Sequence, residues 1–141
     1  MNHSPLNISI VASEYNPEFV EGLIASARAT LEGHTIHLQR VPGAFEIPLL
    51  VKRELEKEET DAVIALGLIW QGKTAHADLI ATEASRALMD LMLKYDKPVL
   101  HGVLTVQDEE QAQARCLENK QNRGRECAEA CLKMLLEADH G

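Results

Sequence analysis

Residues 61–80, DAVIALGLIWQGKTAHADLI, constrain the fold more than any other stretch. An apolar strand over Ala62 to Leu66 leads into a glycine-bearing turn from Gly67 to Gly72, and a helix opens where Lys73, Thr74 and His76 stand. The segment therefore reads as one strand–turn–helix unit. Its junction also carries chemistry. Amides at a helix start lack intrahelical partners and lie at the positive end of the helix dipole, which suits a phosphate or a carboxylate. His76, one turn on, adds a group that exchanges protons near neutral pH.

The flanking segments repeat the pattern. Residues 6–12, LNISIVA, alternate as a strand does; Asn16 then offers an N-cap with Pro17 at the first helical position, and Val20, Leu23, Ile24, Ala27 and Leu31 stripe a helix that Gly33 ends. Residues 35–41, TIHLQRV, predict a second strand, followed by a turn at Pro42-Gly43 and a helix with Pro48 in its first turn, running to about Glu58. The charged run KRELEKEE at 52–59 is read as that helix's solvated side. Ile80, Ala84, Ala87, Leu88, Leu91 and Tyr95 stripe a long helix from about Thr74 to Lys94, and PVLHGVLT at 98–105 predicts a fourth strand. Asp108 with Gln111 makes a capping box for a short helix through Arg115, and Ala128, Cys131, Leu132 and Leu135 face a last helix. Strands alternating with helices predict an α/β fold, a four-stranded parallel sheet with helices on both faces. Ligands of such sheets lie beyond the carboxyl ends of the strands, where strand order reverses. The turns at Tyr15, Gly43 to Glu46, Gly67 to His76 and Thr105 should share that rim.

Size and charge narrow the function classes. A chain of 141 residues, 45% of them hydrophobic, fits one domain over 1–141 with a modest core. It has no run of eighteen apolar residues, and residues 1–7 are neither basic nor hydrophobic, so the expectation is a soluble cytoplasmic protein with no membrane contact. A net charge of -8 opposes broad nucleic-acid binding. A phosphorylated substrate would need local cations, for which Lys73, Arg115, Lys120, Arg123 and Arg125 are the candidates. Cys116, Cys127 and Cys131 form no C-x-x-C pair and read as reduced, structural thiols, with no metal site indicated.

Gly67 through Thr74 spells G-x-x-x-x-G-K-T, the formal P-loop pattern. A phosphate-wrapping loop needs small residues whose amides can turn inward, whereas Leu68, Ile69, Trp70 and Gln71 stand here. PVLHGVLT also ends in threonine, not in the acidic residue that would hold magnesium. Nucleotide hydrolysis is therefore disfavoured.

VPGAFEIP at 41–48, GKTAHADLI at 72–80, GVLT at 102–105, EQAQAR at 110–115 and NRG at 122–124 together resemble the lumazine synthase family, in order and spacing, across essentially the whole chain. The resemblance implies a flavodoxin-like three-layer sandwich that assembles as pentamers or a sixty-subunit shell, with sites between adjacent subunits and riboflavin synthase as a candidate partner. It implies condensation of 5-amino-6-(D-ribitylamino)uracil with 3,4-dihydroxy-2-butanone 4-phosphate, releasing phosphate and water, without a cofactor. By the same resemblance His76 moves protons, while Gly72, Lys73, Thr74 and Arg115 hold the phosphate. Tyr15 stacks on the pyrimidine, Ala44, Phe45 and Glu46 meet the ribityl side, and Ile69 and Trp70 line the pyrimidine pocket. His101 and Arg123 would complete a neighbour's site. The chain departs from the family pattern at Gln71, Ala77, His101, Leu117 and Arg123, where arginine, an aromatic residue, phenylalanine, glycine and lysine are common. These changes motivate a rival expectation, a paralogue that binds a flavin or lumazine, or forms a shell, without catalysis.

Overall fold

A computed structural model describes residues 4–72 and 75–137. Four strands, β1 (Asn7–Ser13), β2 (Thr35–Val41), β3 (Ala62–Trp70) and β4 (Val99–Val106), run parallel in the order β2-β1-β3-β4. The helices are α1 (Pro17–Thr30), α2 (Ile47–Leu55), α3 (Ala75–Tyr95), α4 (Glu109–Cys116) and α5 (Arg123–Leu136), with a 3-10 turn, Ala44–Glu46, before α2.

Strand alternation sorts the side chains into two cores. Ile8, Ile10 and Ala12 of β1 and Ile64, Leu66 and Leu68 of β3 face α1, α4 and α5. Val11, Val63, Ala65, Val99 and Val103 face α2 and α3, where they meet Ile47, Val51, Leu55 and Leu88. The expected three-layer α/β architecture is therefore present. The α1 stripe is buried throughout, and α1 lies so close to α5 that a Cβ on Gly124 would collide with the Leu23 backbone. Among the described residues no helix is long and apolar enough to cross a membrane.

Two boundaries and one burial differ from the sequence expectation. β3 runs to Trp70 and does not turn at Gly67, because Gly67 lets β3 pass β1 where a Cβ would sit 2.8 Å from Ser13 Oγ. Pairing with β4 continues from Gly67–Val103 to Trp70–Val106, so the first half of the apparent P-loop pattern is strand. α2 stops at Leu55, not near Glu58.

The third difference is chemical. Glu54, assigned with its charged neighbours to the solvated side, is 2% exposed. It lies one turn from Val51 on the face that meets β1, accepts from Ser9 Oγ at 2.6 Å and pairs with Lys57 Nζ at 2.8 Å. Burial pushes its carboxyl up, but the hydrogen bonds from Lys57 and Ser9 outweigh that and hold it below the usual value.

Cys116, Cys127 and Cys131 are free and buried where α4 and α5 meet the sheet. Burial pushes their thiols up to about 11, about 11 and about 12.

Candidate functional site

In the order β2-β1-β3-β4 the chain reverses direction across the sheet between β1 and β3, and a cleft of about 230 Å³ opens beyond the carboxyl ends of those strands. Ser13, Tyr15, Ala44, Ile69, His76 and Ile80 line it. Three of the four turns expected on the rim meet there, while Thr105 lines a separate cleft. Tyr15 stands 69% exposed just past β1, with its ring over the Gly43 backbone, where a Cβ would come within 3.0 Å of Cε2. Glu46 Oε1 accepts from Gly43 N–H at 2.9 Å, a one-sided cap because glycine has no side chain to reciprocate. Phe45 is exposed at 63%. Gly72 takes a positive φ of 82° after β3, a conformation that suits glycine. Lys73 and Thr74 lie outside the described residues. His76, exposed in the first turn of α3, brings its imidazole to the cleft wall.

Asn16 occupies the N-cap position of α1 but does not cap it. Its backbone is left-handed, at φ 59° and ψ 55°. Its amide instead bridges to β3, donating to Leu68 O at 3.0 Å and accepting from Trp70 Nε1 at 2.9 Å. Trp70 packs edge-on against Phe19, ring centroids 5.9 Å apart, on the α1 face of the sheet. Ile69 and Trp70, adjacent on one strand, therefore point to opposite faces. Ile69 lines the His76 cleft, while Trp70 lines a cleft with Phe19 and Asp108.

The remaining candidates gather along β4 and α5. Arg115, half-buried, faces a cleft of about 590 Å³ with Thr105, Gln111 and Gln121; Asp108 and Glu110 also line it. That cleft shares no lining residue with the one at His76. Arg115 Nη2 contacts Glu126 Oε1 at 3.1 Å, and Arg123 Nη1 reaches the same oxygen at 3.4 Å. Two guanidinium groups thus share one carboxylate, which can neutralise only one of their two charges. Arg123 also clamps the main chain, donating from Nε and Nη2 to His101 O at 3.2 and 2.9 Å. The His101 ring turns the other way, toward α3: Ser85 Oγ is 2.7 Å from Nε2, and Val103 N–H donates to Nδ1 at 3.2 Å. Burial first, then the Arg123 charge, holds the imidazole below its ordinary pKa.

Leu117, one of the departures that the resemblance marked, has φ -111° and ψ -33°, so no left-handed backbone is needed there. Its side chain lies over Gly22, where a Cβ would meet Leu117 Cδ2 at 2.7 Å. Glu126 and Ser85 were not singled out from sequence. Glu126 had one signal, its position three residues after Arg123 in a helix; Ser85 had none.

A family model described as 6,7-dimethyl-8-ribityllumazine synthase matches residues 5–138. The 6,7-dimethyl-8-ribityllumazine synthase of Azorhizobium caulinodans is 41% identical over 135 residues, covering 91% of this chain and 83% of its own. That of Parabacteroides distasonis is 37% identical over 137 residues, covering 94% and 86%. That of Xanthomonas euvesicatoria pv. vesicatoria is 38% identical over 132 residues, covering 90% and 86%. A de novo designed Rossmann fold protein aligns over 77% of this chain at 20% identity and a TM-score of 0.47.

Proposed function

This chain belongs to the 6,7-dimethyl-8-ribityllumazine synthase family, and we propose that it condenses 5-amino-6-(D-ribitylamino)uracil with 3,4-dihydroxy-2-butanone 4-phosphate at a site shared between neighbouring copies. Joining the pyrimidine amine to the ketone expels water, and loss of phosphate follows. Each step moves protons among amine, carbonyl and hydroxyl, which an imidazole near neutral pH can relay. His76 is that relay.

Tyr15 offers a flat face for the pyrimidine, and Ala44, Phe45, Glu46 and Ile69 shape the same cleft and its mouth. Gly72, Lys73 and Thr74 contribute backbone donors for the phosphate, and Arg115 contributes the cation. The observation that carries this reading is the division of labour within one chain: the imidazole lines one cleft and Arg115 another, with no shared lining residue. Apposing copies would join the two halves, with His101, Arg115 and Arg123 of one meeting His76 of the next. A homo-oligomer, pentameric or closed into a larger shell, is the functional unit, working in the cytoplasm with riboflavin synthase as a candidate partner. Trp70 then acts by packing behind the cleft, through Asn16, and not as a wall of it.

Mixing the two substrates and following product fluorescence tests the reaction, and sedimentation of the same sample tests the assembly. Turnover confined to the assembled species is the expected result. Tight flavin binding with no turnover would overturn catalysis, and an active monomer would overturn the shared site.

A further inference from the structure

We propose that Ser85 of α3 is a positioning residue that fixes the His101 imidazole as the neutral Nε2–H tautomer with both nitrogens occupied, leaving only the ring's uncharged faces for the heterocycle. The inference rests on the proposed function for its substrate, but its geometry stands alone.

The hydrogen-bond chain assigns every proton. Ser85 Oγ donates to Ala81 O one turn back, at 2.8 Å, which uses its single hydrogen. The 2.7 Å contact with His101 Nε2 must then be a donation from the ring to Oγ. On the other side Val103 N–H donates to Nδ1, which requires a lone pair there. Only the Nε2–H tautomer satisfies both partners.

Sheet geometry explains why the ring is held this way. Pro98 O accepts from Val63 N–H, so residues 98, 100 and 102 turn their backbone polar groups toward β3, and 99, 101 and 103 turn theirs outward along the sheet edge. His101 Nδ1 takes up the outward Val103 N–H, and Arg123 covers the outward His101 carbonyl. Arg123, the charged group that faces His101 from α5, further disfavours an imidazolium. A histidine so placed behaves as a flat aromatic surface. This accounts for its standing where phenylalanine is common without adding a charge to the pocket.

The test uses the intact assembly with nitrogen-labelled histidine. The wild-type His101 should show a pyridine-like Nδ1 and a pyrrole-like Nε2, and Ser85→Ala should move that signature toward an averaged ring. In kinetics, Ser85→Ala should raise KM for the pyrimidine about threefold to tenfold, while kcat and KM for the phosphorylated butanone stay within about twofold. Ser85→Thr, which keeps the hydroxyl, should restore the wild-type value. In the His101→Phe background, whatever that variant's own affinity for the pyrimidine, adding Ser85→Ala should change nothing further. An unaltered signature in Ser85→Ala, or a Ser85 effect that persists in the His101→Phe background, overturns the proposal. If the wild-type chain forms no product, the proposed reaction fails, while the tautomer signature and pyrimidine binding still decide the role of Ser85.

Discussion

Replacing His76 by alanine should slow turnover by about 10²-fold or more with little change in either KM, the size expected when a proton relay is lost. Arg115→Ala should instead raise KM for the phosphorylated substrate by about tenfold or more, because the charge-assisted grip on phosphate goes with it. Steady-state kinetics with each substrate varied in turn separates the two. His101 supplies a pH signature. Its folded-state pKa is depressed, mainly by burial and then by Arg123, so below about 6.5 the unfolded chain takes up the proton first. The stability contributed by the neutral ring is therefore complete above that pH and is lost as pH falls toward the folded value. Denaturant titrations should show this acid slope in wild type and a flatter one in His101→Phe. The places of His76 at the start of α3 and Arg115 in the last turn of α4 were legible in the sequence because short motifs set them at fixed offsets from a turn and a helix end. Glu126 and Ser85 were not: each acts across a helix–strand or helix–helix contact, and such contacts have no fixed sequence offset.

Among the elements, the start of α1 shows how a correct position can carry an unexpected role. The Asn-Pro signal located the helix start, and Asp108 with Gln111 located another, where Asp108 accepts from Gln111 N–H at 2.8 Å as a capping residue does. Asn16, however, spends its amide on Leu68 O and Trp70 Nε1, tying the end of β3 to the loop that carries Tyr15. Asn16→Ala should cost about 1–3 kcal/mol, from the indole left unpaired and from alanine forced into a left-handed backbone. Asn16→Gly should escape the backbone share of that loss and suffer only the loss of the bridge; thermal denaturation of the pair apportions the two. The length of β3 and the burial of Glu54 escaped a pattern reading for one reason. Gly67 reads as a turn residue, and the run at 52–59 reads as solvent-facing, until β1 is placed beside them: Ser13 then explains the glycine and Ser9 the carboxylate.

For the molecule as a whole, α3 is the α-helix with the smallest buried share. Of its twenty-one residues only Ala84 and Leu88 are buried, while Leu79, Met89 and Leu93 stand 59%, 51% and 71% exposed. That apolar side suits contact with another copy. Leu93→Glu should shift sedimentation toward smaller species and lower activity in proportion, while the far-ultraviolet dichroism stays that of the wild-type fold. The three thiols have a consequence of their own. Alkylating reagents attack thiolates, and a thiol at about 11 is ionised in only about one copy in ten thousand at pH 7, besides being walled off by helices. Each covalent mark that a maleimide leaves on Cys116, Cys127 or Cys131 would therefore time-stamp a moment when α4 or α5 lifted from the sheet. The chain thus carries a native clock of its own breathing, readable by mass spectrometry without adding a label site.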